Sequence, residues 1–145
     1  MTRREKYPET RTFRFYNANP KGRITTDCVI RAISTALDLP YNTVVMEMAK
    51  LQCETGYDDG DVKLYDRYLA KNGWQKAKQP RKADNTKYTG KEFCKVLNGT
   101  FYCEEVRANI GGGHMVCFKK VDGKFKVWDT WDSTDGCVGN YWIRM

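Results

Sequence analysis

His114-Met-Val-Cys-Phe-Lys-Lys-Val121-Asp122-Gly123-Lys124-Phe-Lys-Val-Trp-Asp129 is the stretch on which the fold turns. Two β-prone runs flank an Asp-Gly pair, the composition of a two-residue hairpin turn. With Asp122-Gly123 as that turn, Val121 faces Lys124 and the register of the hairpin follows. Val116 lies opposite Asp129, and His114 opposite Trp131. Side chains alternate across a strand, so His114, Val116 and Asp129 share one face. Asp129 becomes the diagonal neighbour of His114, roughly 7–8 Å away between Cα atoms, a gap that side chains bridge. Asp132 falls on the opposite face.

The segments before this hairpin have a different period. Thr12 to Tyr16 alternates apolar and polar residues and reads as a short strand. A polar stretch dense in turn formers, Asn17 to Thr26, leads into a helix capped by Thr25, Thr26 or Asp27 and running from Cys28 to Leu37, with Pro40 as its stop. Asn42 is the expected cap of a second helix from Thr43 to about Cys53. Asp61 caps a third through Leu64, Tyr68 and Leu69, ended by Gly73. Thr89 opens a short fourth, Lys91 to Leu97, stopped by Gly99. Strands are expected at Thr100 to Val106 and Tyr141 to Ile143. Helices first and an antiparallel sheet afterwards make an α+β domain.

The 145 residues, 41% hydrophobic and 13% aromatic, suit one domain over 1–145 with a buried core. Residues 1–11 are expected as a mobile basic arm. No apolar run approaches the roughly 20 residues of a membrane span, and the charged start leads into no apolar leader segment. A cytoplasmic location follows as the expectation. Lys and Arg outnumber Asp and Glu by 25 to 18, which favours acidic partners. The Lys76–Lys87 run, broken by Pro80, reads as a solvated loop. A nucleic-acid partner stays open, without a motif to support it.

Cysteines stand at 28, 53, 94, 103, 117 and 137. A reducing compartment argues against disulfides, and no C-x-x-C pair signals zinc. No metal or organic cofactor is expected. Most of these thiols read as small buried hydrophobes, Cys94 and Cys117 above all. Cys28 differs. It opens a capped helix, where unpaired N–H groups and the helix dipole favour a thiolate. The chain has one imidazole, His114, approached through Gly111-Gly112-Gly113. A thiol, an imidazole and the register-matched Asp129 are the parts of a nucleophile, a base and the group that orients the base. Each has an ordinary reading taken alone, as a buried helix thiol, a strand histidine and a strand-ending carboxylate. Trp128, Trp131 and Trp142 read as packing, and Trp131 would also shield the His–Asp pair from water. Arg31 reads as an exposed or paired helix residue.

Thr26-Asp27-Cys28-Val-Ile-Arg-Ala-Ile-Ser34, Gly113-His114-Met-Val-Cys-Phe118 and Val127-Trp128-Asp129 resemble the three active-site segments of papain-like cysteine peptidases, in particular the compact bacterial and phage branch that includes the bacteriocin-processing peptidases. The resemblance covers these segments and the order of elements, while residues 40–100 match no family pattern. It implies a central Cys-bearing helix packed on the sheet, with Cys28 as nucleophile, His114 as base and Asp129 as orienter. In that superfamily a Gln upstream of the Cys commonly helps hold the oxyanion. This chain has Gly22 six residues upstream, so Asn19 is the expected amide donor, beside the Cys28 N–H. The implied function is a thiol hydrolase acting on a peptide, isopeptide or related amide bond of a peptide or protein substrate. Two rivals remain at this stage: a non-catalytic basic binding module on the same scaffold, and an acyltransferase or deamidase using the same triad.

Overall fold

Asp122 and Gly123 both take positive φ, 52° and 80°, the backbone of a type I′ turn. In the computed structural model, which describes residues 1–99, 106–110 and 113–144, the flanking strands pair in the register that the turn dictates. Cys117 lies opposite Trp128, and Val121 opposite Lys124. The elements are α1 (Arg3–Lys6), β1 (Phe13–Phe15), α2 (Cys28–Leu37), α3 (Tyr41–Thr55), α4 (Val62–Lys71), β2 (Trp74–Ala77), α5 (Gly90–Asn98), β3 (Val106–Ile110), β4 (His114–Val121), β5 (Lys124–Asp129) and β6 (Val138–Arg144). The fold is α+β, with one six-stranded sheet in the order β1-β5-β4-β3-β6-β2.

Alternation along β4 divides the core in two. Met115 and Cys117 pack with Trp142 and Trp74 against α2, α3 and α4, where Ile33, Val44, Met48, Leu64 and Leu69 are buried. Val116 and Phe118 pack with Phe125 and Val127 against Phe93, Cys94 and Leu97 of α5. A bulge serves this division. Between its pairings with β3 at Tyr141 and Val138, β6 advances three residues while β3 advances two, from Ala108 to Ile110. The extra residue lets Val138 join Tyr141 and Ile143 on the α5 side.

The helix ends follow local chemistry. Asp61 accepts from the Lys63 N–H at 2.9 Å at the start of α4. Thr89 and Glu92 form a reciprocal capping box on α5. Helix α2 ends with Asp38 in the left-handed region. There Lys119 of β4 donates to both the Asp38 carboxylate, at 2.5 Å, and the Thr35 carbonyl, at 2.9 Å.

Three expectations are corrected. The sheet is mixed rather than antiparallel, because β1 runs parallel to β5, with Phe13 opposite Val127. Lys76 and Ala77 belong to strand β2, paired with β6, and not to the basic loop. Helix α3 starts at Tyr41 with Pro40 as its N-cap, so Asn42 lies inside the helix. The strand expected at 100–106 lies, apart from Val106, outside the described residues, and Val106 opens β3. Within residues 1–11, α1 lies near the sheet, where the Arg3 guanidinium donates to the Thr130 carbonyl at 2.7 Å. No helix among the described residues is long and apolar enough to cross a membrane.

Phe118 is fully buried and meets Phe93 edge-on, with ring centroids 5.4 Å apart. Phe118→Ala is expected to cost about 3–5 kcal/mol, measured as a drop in the urea midpoint at unchanged m-value.

Candidate active site

His114 begins β4 and Asp129 ends β5, so both stand at the open end of the hairpin. The first turn of α2 reaches the same place. His114 Nε2 lies 2.5 Å from Asp129 Oδ2, which leaves Nδ1 as the ring nitrogen free to meet the thiol. Cys28 and His114 line one cavity, and the His114 side chain and the Met115 backbone both act on the thiol. The structure thus brings Cys28, His114 and Asp129 together. The ring of Trp131 lies 4.9 Å from that of His114, tilted by 40°.

A feature that the sequence reading missed stands behind them. Arg31 is only 7% exposed. Its Nη1 donates to Asp129 Oδ1 at 2.7 Å, and its Nε donates to Asp27 Oδ1 at 2.8 Å. Asp129 Oδ1 also accepts from the Thr130 N–H at 2.7 Å. Asp27 Oδ2 accepts in turn from the Tyr41 hydroxyl at 2.6 Å. Asp27 occupies the N-cap position of α2 without making a side-chain capping bond. Its carboxylate is taken up by Arg31 and Tyr41 instead. The signal was present: Arg31 lies one helical turn beyond Cys28 and so shares its face. Only the fold supplies the carboxylate, 98 residues away.

Asn19 is not brought to the thiol. Its Nδ2 points at Asp27 Oδ2 at 3.4 Å, and its Oδ1 accepts from the Lys21 N–H at 2.9 Å. The cavity beside Cys28, of about 320 Å³, is lined by Ile24, Thr25, Thr26, Gly113, His114 and Trp131, with Arg3, Arg31 and Thr130. Asn19 does not line it. The first-turn N–H groups of α2, which like those of any helix lack intrahelical partners, lie at the end of the helix that carries the thiol. Two larger cavities, of about 520 and 580 Å³, contain neither Cys28 nor His114.

The electrostatics follow from the contacts. Burial pushes the Cys28 thiol up, but the hydrogen bonds from His114 and from the Met115 backbone outweigh it and hold the thiol below its ordinary value. Burial pulls the His114 imidazole down. The hydrogen bonds to Asp129 and Cys28 reverse this and raise it to about 9. Both shifts favour a thiolate–imidazolium pair near neutrality. Of the other thiols, Cys94 and Cys117 are buried, as expected, whereas Cys53 and Cys137 are exposed. Burial pushes Cys94 up to about 12. Cys103, Gly111 and Gly112 lie outside the described residues.

Compared with protein-family models, curated proteins and solved structures, the chain matches none.

His114 is the only histidine, so its ring resonances titrate without overlap. Their NMR midpoint is expected at about 9, and Asp129→Asn should lower it by about one unit or more. A raised folded-state value stabilises the fold fully below the ordinary 6.5 and loses that contribution as pH rises through about 9.

Proposed function

We propose that the protein is a thiol hydrolase of papain-like architecture that cleaves a peptide, isopeptide or related amide bond. The observation that carries this reading is the convergence of Cys28, at a helix N-terminus, and His114 on one open cavity, with Asp129 hydrogen-bonded to the His114 ring behind them. In the reaction, the Cys28 thiolate attacks the substrate carbonyl carbon and the C=O electron pair moves to oxygen. The Cys28 N–H and the α2 dipole face the developing charge. The tetrahedral adduct collapses as His114 gives its proton to the leaving amine, and a thioester remains on Cys28. His114 then takes a proton from water, whose oxygen attacks the thioester. The carboxylate product leaves and the thiolate–imidazolium pair is restored. Asp129 keeps the imidazole oriented and stabilises its charged form throughout.

Substrate is a peptide or protein, and the formal charge of +7 favours an acidic one. Acyl transfer or deamidation would use the same groups and differ only in what attacks the thioester or which amide enters. The basic binding-module reading is weaker, because cations of the Lys76–Lys87 stretch are engaged within the fold. Lys82 pairs with Glu92, Arg81 donates to Gln79 and Asn85, and Lys76 lies over the Trp142 ring. That reading would show affinity falling steeply with salt and indifferent to Cys28→Ala.

Brief iodoacetamide treatment at pH 5 to 8, read by intact mass and peptide mapping, tests the hydrolase reading. One fast adduct at Cys28 is expected at pH 6, where an ordinary thiol is only about 0.3% ionised. His114→Ala should slow it by about tenfold to a hundredfold, with exposed Cys53 and Cys137 as internal controls. Slow labelling spread over several cysteines and unchanged in His114→Ala would make Cys28 structural.

A further inference from the structure

We propose that Arg31 is a positioning residue for the Cys28–His114–Asp129 chain, committing Asp129 to His114 and tying that carboxylate to the helix that carries the thiol. The inference rests on the hydrolase reading, and its test separates the two. The contacts close a circuit. Cys28 lies beside His114 at one cavity, His114 meets Asp129 Oδ2, and Asp129 Oδ1 meets Arg31. Arg31 returns to Cys28 through one turn of α2. A nucleophile, base and orienter alone would be linked in a line across three elements, α2, β4 and β5. Arg31 joins the two ends of that line.

Its chemistry fits the task better than that of lysine. A guanidinium is planar, and its N–H groups point in fixed directions. Nε is directed at Asp27 and Nη1 at Asp129, so the angle between the two carboxylates is set by one rigid group. With Oδ1 of Asp129 held by Nη1 and by the Thr130 N–H, Oδ2 has one direction left, toward His114. Asp27 in turn is braced by the Tyr41 hydroxyl at the start of α3. The clamp therefore leans on a second helix, outside the reacting atoms.

Arg31→Lys keeps the buried charge and removes the fork, so it isolates geometry from electrostatics. In this variant the His114 NMR midpoint should fall by about one unit or more, and Cys28 alkylation at pH 6 should slow at least about tenfold. Arg31→Ala should lose more. Added guanidinium at millimolar concentration should restore part of its alkylation rate, with sodium chloride at matched ionic strength restoring none. A folded Arg31→Lys with the wild-type His114 midpoint and wild-type labelling would overturn the proposal and leave Arg31 a structural residue. If Arg31→Lys does not fold, Asp27→Asn loosens the same guanidinium from its other side. The same fall in midpoint is then expected, and an unchanged midpoint overturns the proposal. Wild-type labelling judges the hydrolase reading separately. A wild-type Cys28 that labels slowly would sink that reading, while the His114 midpoint would still decide the clamp.

Discussion

Asp129 is 2% exposed, and a carboxylate so placed is tolerated only when its charge and both oxygens are satisfied. Arg31, His114 and the Thr130 N–H do this between them. Each comes from a different part of the fold: the helix with the thiol, the neighbouring strand, and the turn that leaves β5. The requirement thus fixes where α2 meets the sheet. Moving α2 along its axis would strand two buried charges, a larger penalty than any one apolar contact could offset. Coulomb attraction at 4 Å is about 4 kcal/mol at an effective dielectric near 20, comparable to the several kcal/mol needed to desolvate each ion. The net gain in stability is therefore small. What the pairs provide is direction.

Helix α2 is held at its other end by the same kind of contact. Lys119 reaches from β4 to the Thr35 carbonyl and the Asp38 carboxylate, beyond the last turn. A cation at a helix C-terminus complements the dipole, as an anion does at the N-terminus. Between these anchors Ala32, Ile33 and Ala36 are buried in the larger core cluster. Small residues there let the helix sit close to the sheet, and the apolar packing supplies the stability that the ion pairs do not. The end that carries Cys28 stays half-exposed while the middle is sealed.

How much of this was legible in the sequence differs from residue to residue. The hairpin register was legible because an Asp-Gly turn leaves the pairing no freedom, and Asp129 could be placed beside His114 from that alone. Cys28 was legible because helix start signals are local. Arg31 was not, because its burial depends on Asp129, which is distant in the chain. Asn19 failed for a related reason: its residue type offers an amide donor, but its direction is set by Asp27, whose own partners had not been recognised. The parallel pairing of β1 with β5 carries no local signal at all. Strand β2 was hidden because Gln75 and Lys76 break its apolar pattern beside the basic run. Local chemistry was readable, and long-range partners were readable only where a turn forced them.

Five linked ionisable groups at the site alternate in sign when the thiolate forms: Asp27, Arg31, Asp129, His114, Cys28. Each charge has opposite neighbours, so a thiolate can form at a half-buried position without leaving a bare charge in a poorly hydrated site. Alternation also keeps like charges apart, each of which would otherwise disfavour the charged form of the other. The same order explains the opposed shifts at the reactive end. Asp129 lifts His114, and charged His114 lowers Cys28. Without Asp129, burial would favour a neutral imidazole and a neutral thiol, and the pair would revert to two weakly reactive groups. A thiolate at this helix terminus is therefore favoured by a carboxylate on strand β5, acting through a single histidine.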